Sequence, residues 1–273
     1  MNQAPNLVEV DWCGRAVRIE VQWLAREKSH RPLLIFLHEG LGSVAMWKDF
    51  PQHLCAAANC RGLVYSRPGY GRSTQRSEDE IWNPNFMHRQ AYEVLPALLQ
   101  ALGHDSEADP PTLFGHSDGG SIALLYAARF PARVASLVVV APHILVEDIS
   151  VASIERARTA YLEPGLRQRL GAYHDDPDSA FWGWNRIWLD PRFRDWSIAD
   201  EIAPIRCPVL AIQGADDEYG TLQQIHGIAQ RLPQTQLLEL PDCGHSPHRD
   251  QPDRLISAVT DFLNHHHTKG DTP

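Results

Sequence analysis

The 273-residue sequence predicts an α/β protein: a mostly parallel, eight-stranded sheet with helices on both faces and a helical insertion after the sixth strand. Three observations predict it. Short continuous apolar runs bounded by turn residues recur along the chain, as expected of strands covered on both faces. Stretches with apolar residues at three- and four-residue spacing separate them, and that alternation implies parallel strands joined by right-handed crossovers. Residues 142–205 interrupt the alternation without a strand pattern, and so long a segment between two strands reads as an inserted subdomain.

In chain order, LVEV (7–10) and VRIEVQWL (17–24) form the first pair, the second alternating like a half-buried strand, with CGR between them suited to a hairpin turn. LLIFL (33–37), GLVYS (62–66), TLFG (112–115), SLVVVA (136–141), PVLAIQG (208–214) and QLLEL (236–240) supply the remaining strands. Helices are expected over 43–58, 85–102, 119–130, 221–232 and 253–266, with Pro51 and Pro96 marking kinks in the first two. Within the insertion, SIERARTAYL (153–162) and GLRQRLGAY (165–173) read as helices. DSAFWGWNRIWLDPRFRDWSI (178–198) follows and holds four of the eight tryptophans. The expected organisation is a core of residues 1–141 and 206–273 carrying a helical cap of residues 142–205.

Charge and composition narrow the partners. A net charge of −9, spread without long blocks, disfavours nucleic acid and anionic membrane surfaces. Five cysteines without CxxC spacing read as reduced thiols in a cytoplasmic protein. The N-terminus lacks a basic region followed by an apolar one, so no signal peptide is evident, and the apolar runs are too short to span a bilayer. HHH at 265–267 has no cysteine or carboxylate cluster around it and reads as a solvated tail rather than a metal site. GYG at 69–71 is too short for a dinucleotide loop, so no cofactor is expected. The expected partner is a small-molecule substrate; a homo-oligomer stays open.

The stretch LFGHSDGGSIAL (113–124) carries the chemistry. Gly115-His116-Ser117-Asp118-Gly119 is a G-x-S-x-G between a buried-type strand and an alanine-rich helix, the context in which a serine is held on a strained turn as a nucleophile. A serine hydroxyl needs a base within hydrogen-bond reach. His245, in DCGHSPHRDQP (242–252), follows a strand and a glycine and fits that role; His116 is adjacent to the serine and its side chain diverges, and His248 lies in the approach to the final helix. Asp216, Asp217 and Glu218 follow the PVLAIQG strand and are candidates for the carboxylate that orients the base. Two backbone donors are expected for an oxyanion: the N–H of Asp118, and that of Gly40 in HEGLGS (38–43).

With these pieces in order, the chain resembles the α/β-hydrolase superfamily over nearly all of residues 5–265, and within it capped serine hydrolases such as bacterial esterases and meta-cleavage-product hydrolases. The matching segments are LLIFLHEGLGS, YSRPGYGRS (65–73), FGHSDGGS, IQGADDEYG (212–220) and PDCGHSPHRDQP. The resemblance implies Asp217 as the acid, with Asp216 second, and His245 as the base, followed by Asp250 and Pro252. It implies acyl-enzyme hydrolysis of an ester, lactone, thioester or activated C–C bond in a small apolar or aromatic substrate. Ser117 sets the chain apart from epoxide and haloalkane hydrolases, which use an aspartate. A receptor-like binding protein on the same scaffold, with slow or vestigial turnover, is the alternative.

The chain departs from the family at His38-Glu39, where many members carry His-Gly. Glu39 is expected either to face the site or to turn away into a salt bridge or a helix cap. Candidate substrate contacts are Glu39, His116, Trp182, Trp184 and Trp188, although the tryptophans would equally serve as the small core of the insertion. Arg186, Arg192 and Arg194 interleave with them, for a substrate carboxylate or for solvent.

Overall fold

The computed structural model describes residues 6–77 and 80–267. Strands β1 (Asn6–Trp12) and β2 (Arg15–Leu24) pair antiparallel through the two-residue turn Cys13-Gly14, both at positive φ (53° and 83°), the type I′ geometry that matches strand twist. There follow β3 (Leu33–Leu37), α1 (Phe50–Ala57), β4 (Arg61–Tyr65), α2 (Phe86–Arg89), α3 (Leu95–Ala101), β5 (Thr112–His116), α4 (Asp118–Arg129) and β6 (Ser136–Val140). Three helices come next: α5 (Asp148–Leu162), α6 (Leu166–Leu170) and α7 (Pro177–Trp188). The chain then returns through β7 (Val209–Gly214), α8 (Gln223–Arg231), β8 (Thr235–Leu240), α9 (Pro247–Asp250) and α10 (Pro252–His267).

The eight strands form one sheet in the order β1-β2-β4-β3-β5-β6-β7-β8. β2 runs antiparallel to β4, and from β4 to β8 every neighbour is parallel. Side-chain alternation splits the core into two layers. Leu33, Ile35, Leu37, Leu113 and Val139 pack under α2–α4 and α8, whereas Leu34, Phe36, Phe114, Val138 and Val140 pack under α1 and α10.

Two expected helices are broken, each at its proline. Over 43–58 a 3₁₀ turn (Ala45–Trp47) precedes α1, and Pro51 occupies the first turn of α1, where its missing N–H has no partner to lose. Over 85–102 a π-helical turn (Gln90–Val94) separates α2 from α3 just ahead of Pro96, which cannot donate to the Tyr92 carbonyl one turn back. β8 also differs from its reading as a covered run. It is the sheet's edge, and Leu237 is 41% exposed.

Residues 142–205 carry α5–α7 and one isolated bridge, Leu145 with Ser197. This helical segment lies over the carboxyl ends of the strands, and Trp184 packs so closely on Gly40 that a Cβ there would collide with its indole. Phe181, Phe193 and Trp196 are buried in the same core cluster as the sheet's own residues. No described helix is long and apolar enough to cross a membrane.

Candidate active site

Ser117 sits between the last residue of β5 and the first of α4 at φ 53°, ψ −122°. A non-glycine residue there is strained by about 1–3 kcal/mol, a cost the surrounding fold must hold in place. Two glycines make the turn possible. A Cβ at Gly115 would strike the backbone of Gly119, and one at Gly119 would strike the Leu37 carbonyl at the end of β3. Backbone cannot swing aside as a flexible side chain can, so the pattern G-x-S-x-G follows from packing α4 against β3 and β5.

The loop after β8 brings His245 to this serine. Ser117 Oγ lies 2.9 Å from His245 Nε2. His245 Nδ1 lies 2.8 and 3.0 Å from the two carboxylate oxygens of Asp217, which stands in the turn after β7. Asp217 also accepts from the Tyr219 N–H (2.8 Å) and from Gln213 Nε2 (3.1 Å), which fixes the carboxylate. Burial pulls against both charges, but the hydrogen bond and attraction between the two groups prevail: the Asp217 pKa is lowered and the His245 pKa is raised. Asp216 is exposed, its own N–H given to the Cys243 carbonyl (3.0 Å), and Glu218 accepts the His245 N–H at 3.2 Å. Of the three carboxylates left open by the residues alone, Asp217 is the one that reaches the imidazole.

Gly40 and Asp118 flank the serine at the ends of β3 and β5. The Asp118 side chain is fully buried, accepts from Trp188 Nε1 of α7 (3.2 Å), and lies 3.7 Å from Arg67 Nη2. Burial raises its pKa, with the Arg67 charge opposing. Glu39 faces the cavity, and its salt bridge is made there rather than away from it. The ion pair is with Arg249 Nη2 at 3.3 Å, and His116 Nδ1 lies 3.5 Å from the Glu39 carboxylate. Burial would raise its pKa, but the His116 hydrogen bond and charge and the Arg249 charge hold it well below the usual carboxylate range. His116 Nε2 donates to the His245 carbonyl at 2.8 Å.

These residues open into a cavity of about 280 Å³ beside Ser117 and His245. Leu41, Met46, Ile154, Leu170, Trp184 and Trp188 give it apolar walls, and Glu39, Glu218 and Arg249 lie on its charged side. Larger cavities of about 400 and 440 Å³ lie elsewhere and do not touch the serine.

A family model described as the alpha/beta hydrolase family matches residues 34–258. The chain belongs to that family. Among its relatives, 2-hydroxy-6-oxo-6-phenylhexa-2,4-dienoate hydrolase of Burkholderia cepacia is 24% identical over 84% of this chain and 87% of its own length. The sn-1-specific diacylglycerol lipase ABHD11 of Mus musculus is 26% identical over 85% of this chain and 81% of its own. A carboxylesterase structure from the thaumarchaeon Nitrososphaera gargenis shares the fold at a TM-score of 0.77 and 16% identity, covering 96% of this chain and 99% of that one.

Within this hydrolase, Trp184 and Trp188 meet the cavity and Trp182 does not, which corrects the expectation for that residue. Trp184 and Trp188 are four apart and share a helix face; Trp182 is turned away on the opposite face of α7. There its ring lies edge-on to Phe181 (5.1 Å between centroids) and under the Arg186 guanidinium at 5.4 Å. Arg192 and Arg194 pair with Asp190 and Asp148, and neither lines the cavity. Sequence reasoning missed Arg67 and His143. His143 lines the cavity just beyond β6, its ring centroid 5.9 Å from that of His245, and burial pushes its imidazole down to about 3. The available signal was position: both are polar residues just past the carboxyl end of an apolar strand.

Proposed function

We propose that this hydrolase is a serine esterase acting on small, uncharged acyl substrates through an acyl-enzyme. The observation that carries the reading is the continuous relay from Ser117 Oγ through His245 to Asp217, at 2.9 and 2.8 Å. His245 takes the Ser117 proton as the hydroxyl attacks the carbonyl carbon, and Asp217 holds the imidazole with Nδ1 protonated and stabilises the imidazolium. The N–H groups of Gly40 and Asp118 receive the oxyanion. His245 then protonates the departing alkoxide or thiolate, removes a proton from water, and the hydroxide formed releases the acid from Ser117. Esters, lactones and thioesters share this chemistry. The helical segment 142–205 serves as the cap that excludes bulk water, with Trp184 and Trp188 against the acyl group.

The cavity's charge supports an uncharged substrate. Arg249 is the one arginine or lysine lining it among the described residues, and it is paired with Glu39. The relative from B. cepacia is named for a dienoate, a carboxylate-bearing substrate. The corresponding free cation is not offered here, so an ester is favoured over the C–C bond of such a compound. The volume, at the small end for ligand sites, fits a short acyl chain or one aromatic ring. Five unpaired cysteines, four of them buried, suit a cytoplasmic setting.

A fluorophosphonate probe and a series of p-nitrophenyl esters test this. The wild type should label and turn over, with both lost in Ser117→Ala. Folded wild type that binds esters but neither labels nor hydrolyses them would favour the receptor-like alternative.

A further inference from the structure

Oxyanion stabilisation depends on where the donor points and how strongly it is polarised. On the serine-esterase reading above, the Gly40 N–H is one of the two donors, and the same peptide plane ends in the Glu39 carbonyl. We propose that Arg67, just beyond β4, is a positioning residue that orients and polarises this peptide so that its N–H faces the oxyanion.

Arg67 is fully buried, and its Nη2 donates to the Glu39 carbonyl at 2.8 Å. Its backbone N–H donates to His38 Nε2 at 3.0 Å, so the His38 proton sits on Nδ1, which donates to the same Glu39 carbonyl at 2.7 Å. Burial, reinforced by the Arg67 charge, holds His38 neutral. With the Gly42 N–H at 3.1 Å, three donors occupy the oxygen of the 39–40 peptide, and Arg67 is the one that brings a charge. The peptide is planar and trans, so holding its oxygen sets the direction of its N–H. A cation at the carbonyl also draws electron density from the amide nitrogen and makes the N–H a stronger donor, as in any polarised hydrogen-bond chain. The same Nη2 is 3.7 Å from Asp118 Oδ2, placing positive charge beside the residue that carries the second donor. Without it, the buried Asp118 carboxylate would lose its cationic neighbour.

An ordinary core ion pair would hold the fold together and leave the transition state alone, and kinetics separate the two. Full-length Arg67→Met and Arg67→Lys are checked for folding by circular dichroism, then assayed on p-nitrophenyl esters. Each is also titrated with a trifluoromethyl ketone, which forms an oxyanion adduct on Ser117, and with the matching methyl ketone. Arg67→Met should lower kcat about 100-fold, the order seen for loss of one oxyanion donor. KM and methyl ketone affinity should hold while trifluoromethyl ketone affinity falls in parallel with kcat. Arg67→Lys, which keeps the charge but loses the planar fork, should fall in between, and it carries the test if the Met variant does not fold. A folded variant with wild-type kcat and trifluoromethyl ketone affinity, or with a loss confined to KM, overturns the inference alone. A wild type with no turnover and no labelling of Ser117 overturns the esterase reading and this inference with it.

Discussion

At the residue scale the site is a set of polar groups whose ionisation is set by one another. Asp217 accepts from His245, Tyr219 and Gln213, whereas Asp216, one residue earlier, is exposed and bonds nothing in the site through its side chain. Asp217→Asn should therefore lower kcat by about 10⁴, because an amide holds the imidazole in the wrong tautomer. Asp216→Asn should stay near wild type, and the reverse pattern would move the acid. The pH profile follows from His245. Burial would lower its pKa, but the hydrogen bond and charge of Asp217 raise it above the ordinary imidazole value of 6.5. As the proposed base, His245 works neutral, so the acidic limb of kcat/KM should fall above pH 6.5 and move to lower pH in Asp217→Asn. A limb well below 6.5 in the wild type would show that Asp217 does not stabilise the imidazolium. Ser117, Asp217 and His245, which the structure brings within hydrogen-bond reach of one another, stand out in the sequence because each is a polar residue punctuating an apolar strand. Arg67 and His143 occupy the same kind of position, but a lone Arg or His carries no motif, and only coordinates reveal what it bonds.

At the scale of elements, the placing of Ser117 depends on how closely α4 approaches the sheet. Gly119 in its first turn lies against the Leu37 carbonyl of β3, with no room for a methyl group. Gly119→Ala should destabilise the fold by about 3 kcal/mol, the upper end of ordinary overpacking because backbone must move, and should misplace Ser117. Urea unfolding with fluorophosphonate labelling checks both; an unchanged midpoint with full labelling would show that the elbow tolerates a Cβ. The strands were nearly all readable because buried parallel strands are continuous apolar runs. β8 misled because an edge strand can carry Leu237 and Leu238 without covering them on both sides. The helices at 43–58 and 85–102 kept their spacing through Pro51 and Pro96, yet apolar periodicity does not report whether the backbone stays α-helical across a missing N–H. Trp182 was grouped with Trp184 by nearness in sequence, where α7 separates them by face.

At the scale of the whole molecule, several imidazoles are buried in neutral form, and this sets the response to acid. Burial pushes His143 and His248 down to about 3 each, and lowers His38 and His174 as well. In the unfolded chain each regains an ordinary value near 6.5, so between about pH 3 and 6.5 the unfolded state binds more protons and stability must fall as pH falls. His245 has the opposite sign: its raised pKa contributes stability that is present below 6.5 and lost as pH rises through the folded value. Asp217 and Glu39, both lowered, add to acid loss only once pH drops into the carboxylate range. The buried imidazoles therefore dominate the upper part of the window. His143 and His248 alone should remove about 2–3 kcal/mol for each pH unit near pH 5, since one proton of difference is worth about 1.4 kcal/mol per unit. Urea midpoints at pH 7, 6 and 5 with a constant m-value should drop steeply across the series, and His248→Phe should flatten the slope by about one proton. Equal midpoints at pH 7 and 5 would mean that these rings are protonated or solvated in the folded state. Burial could then no longer be the reason His143 stays uncharged beside His245.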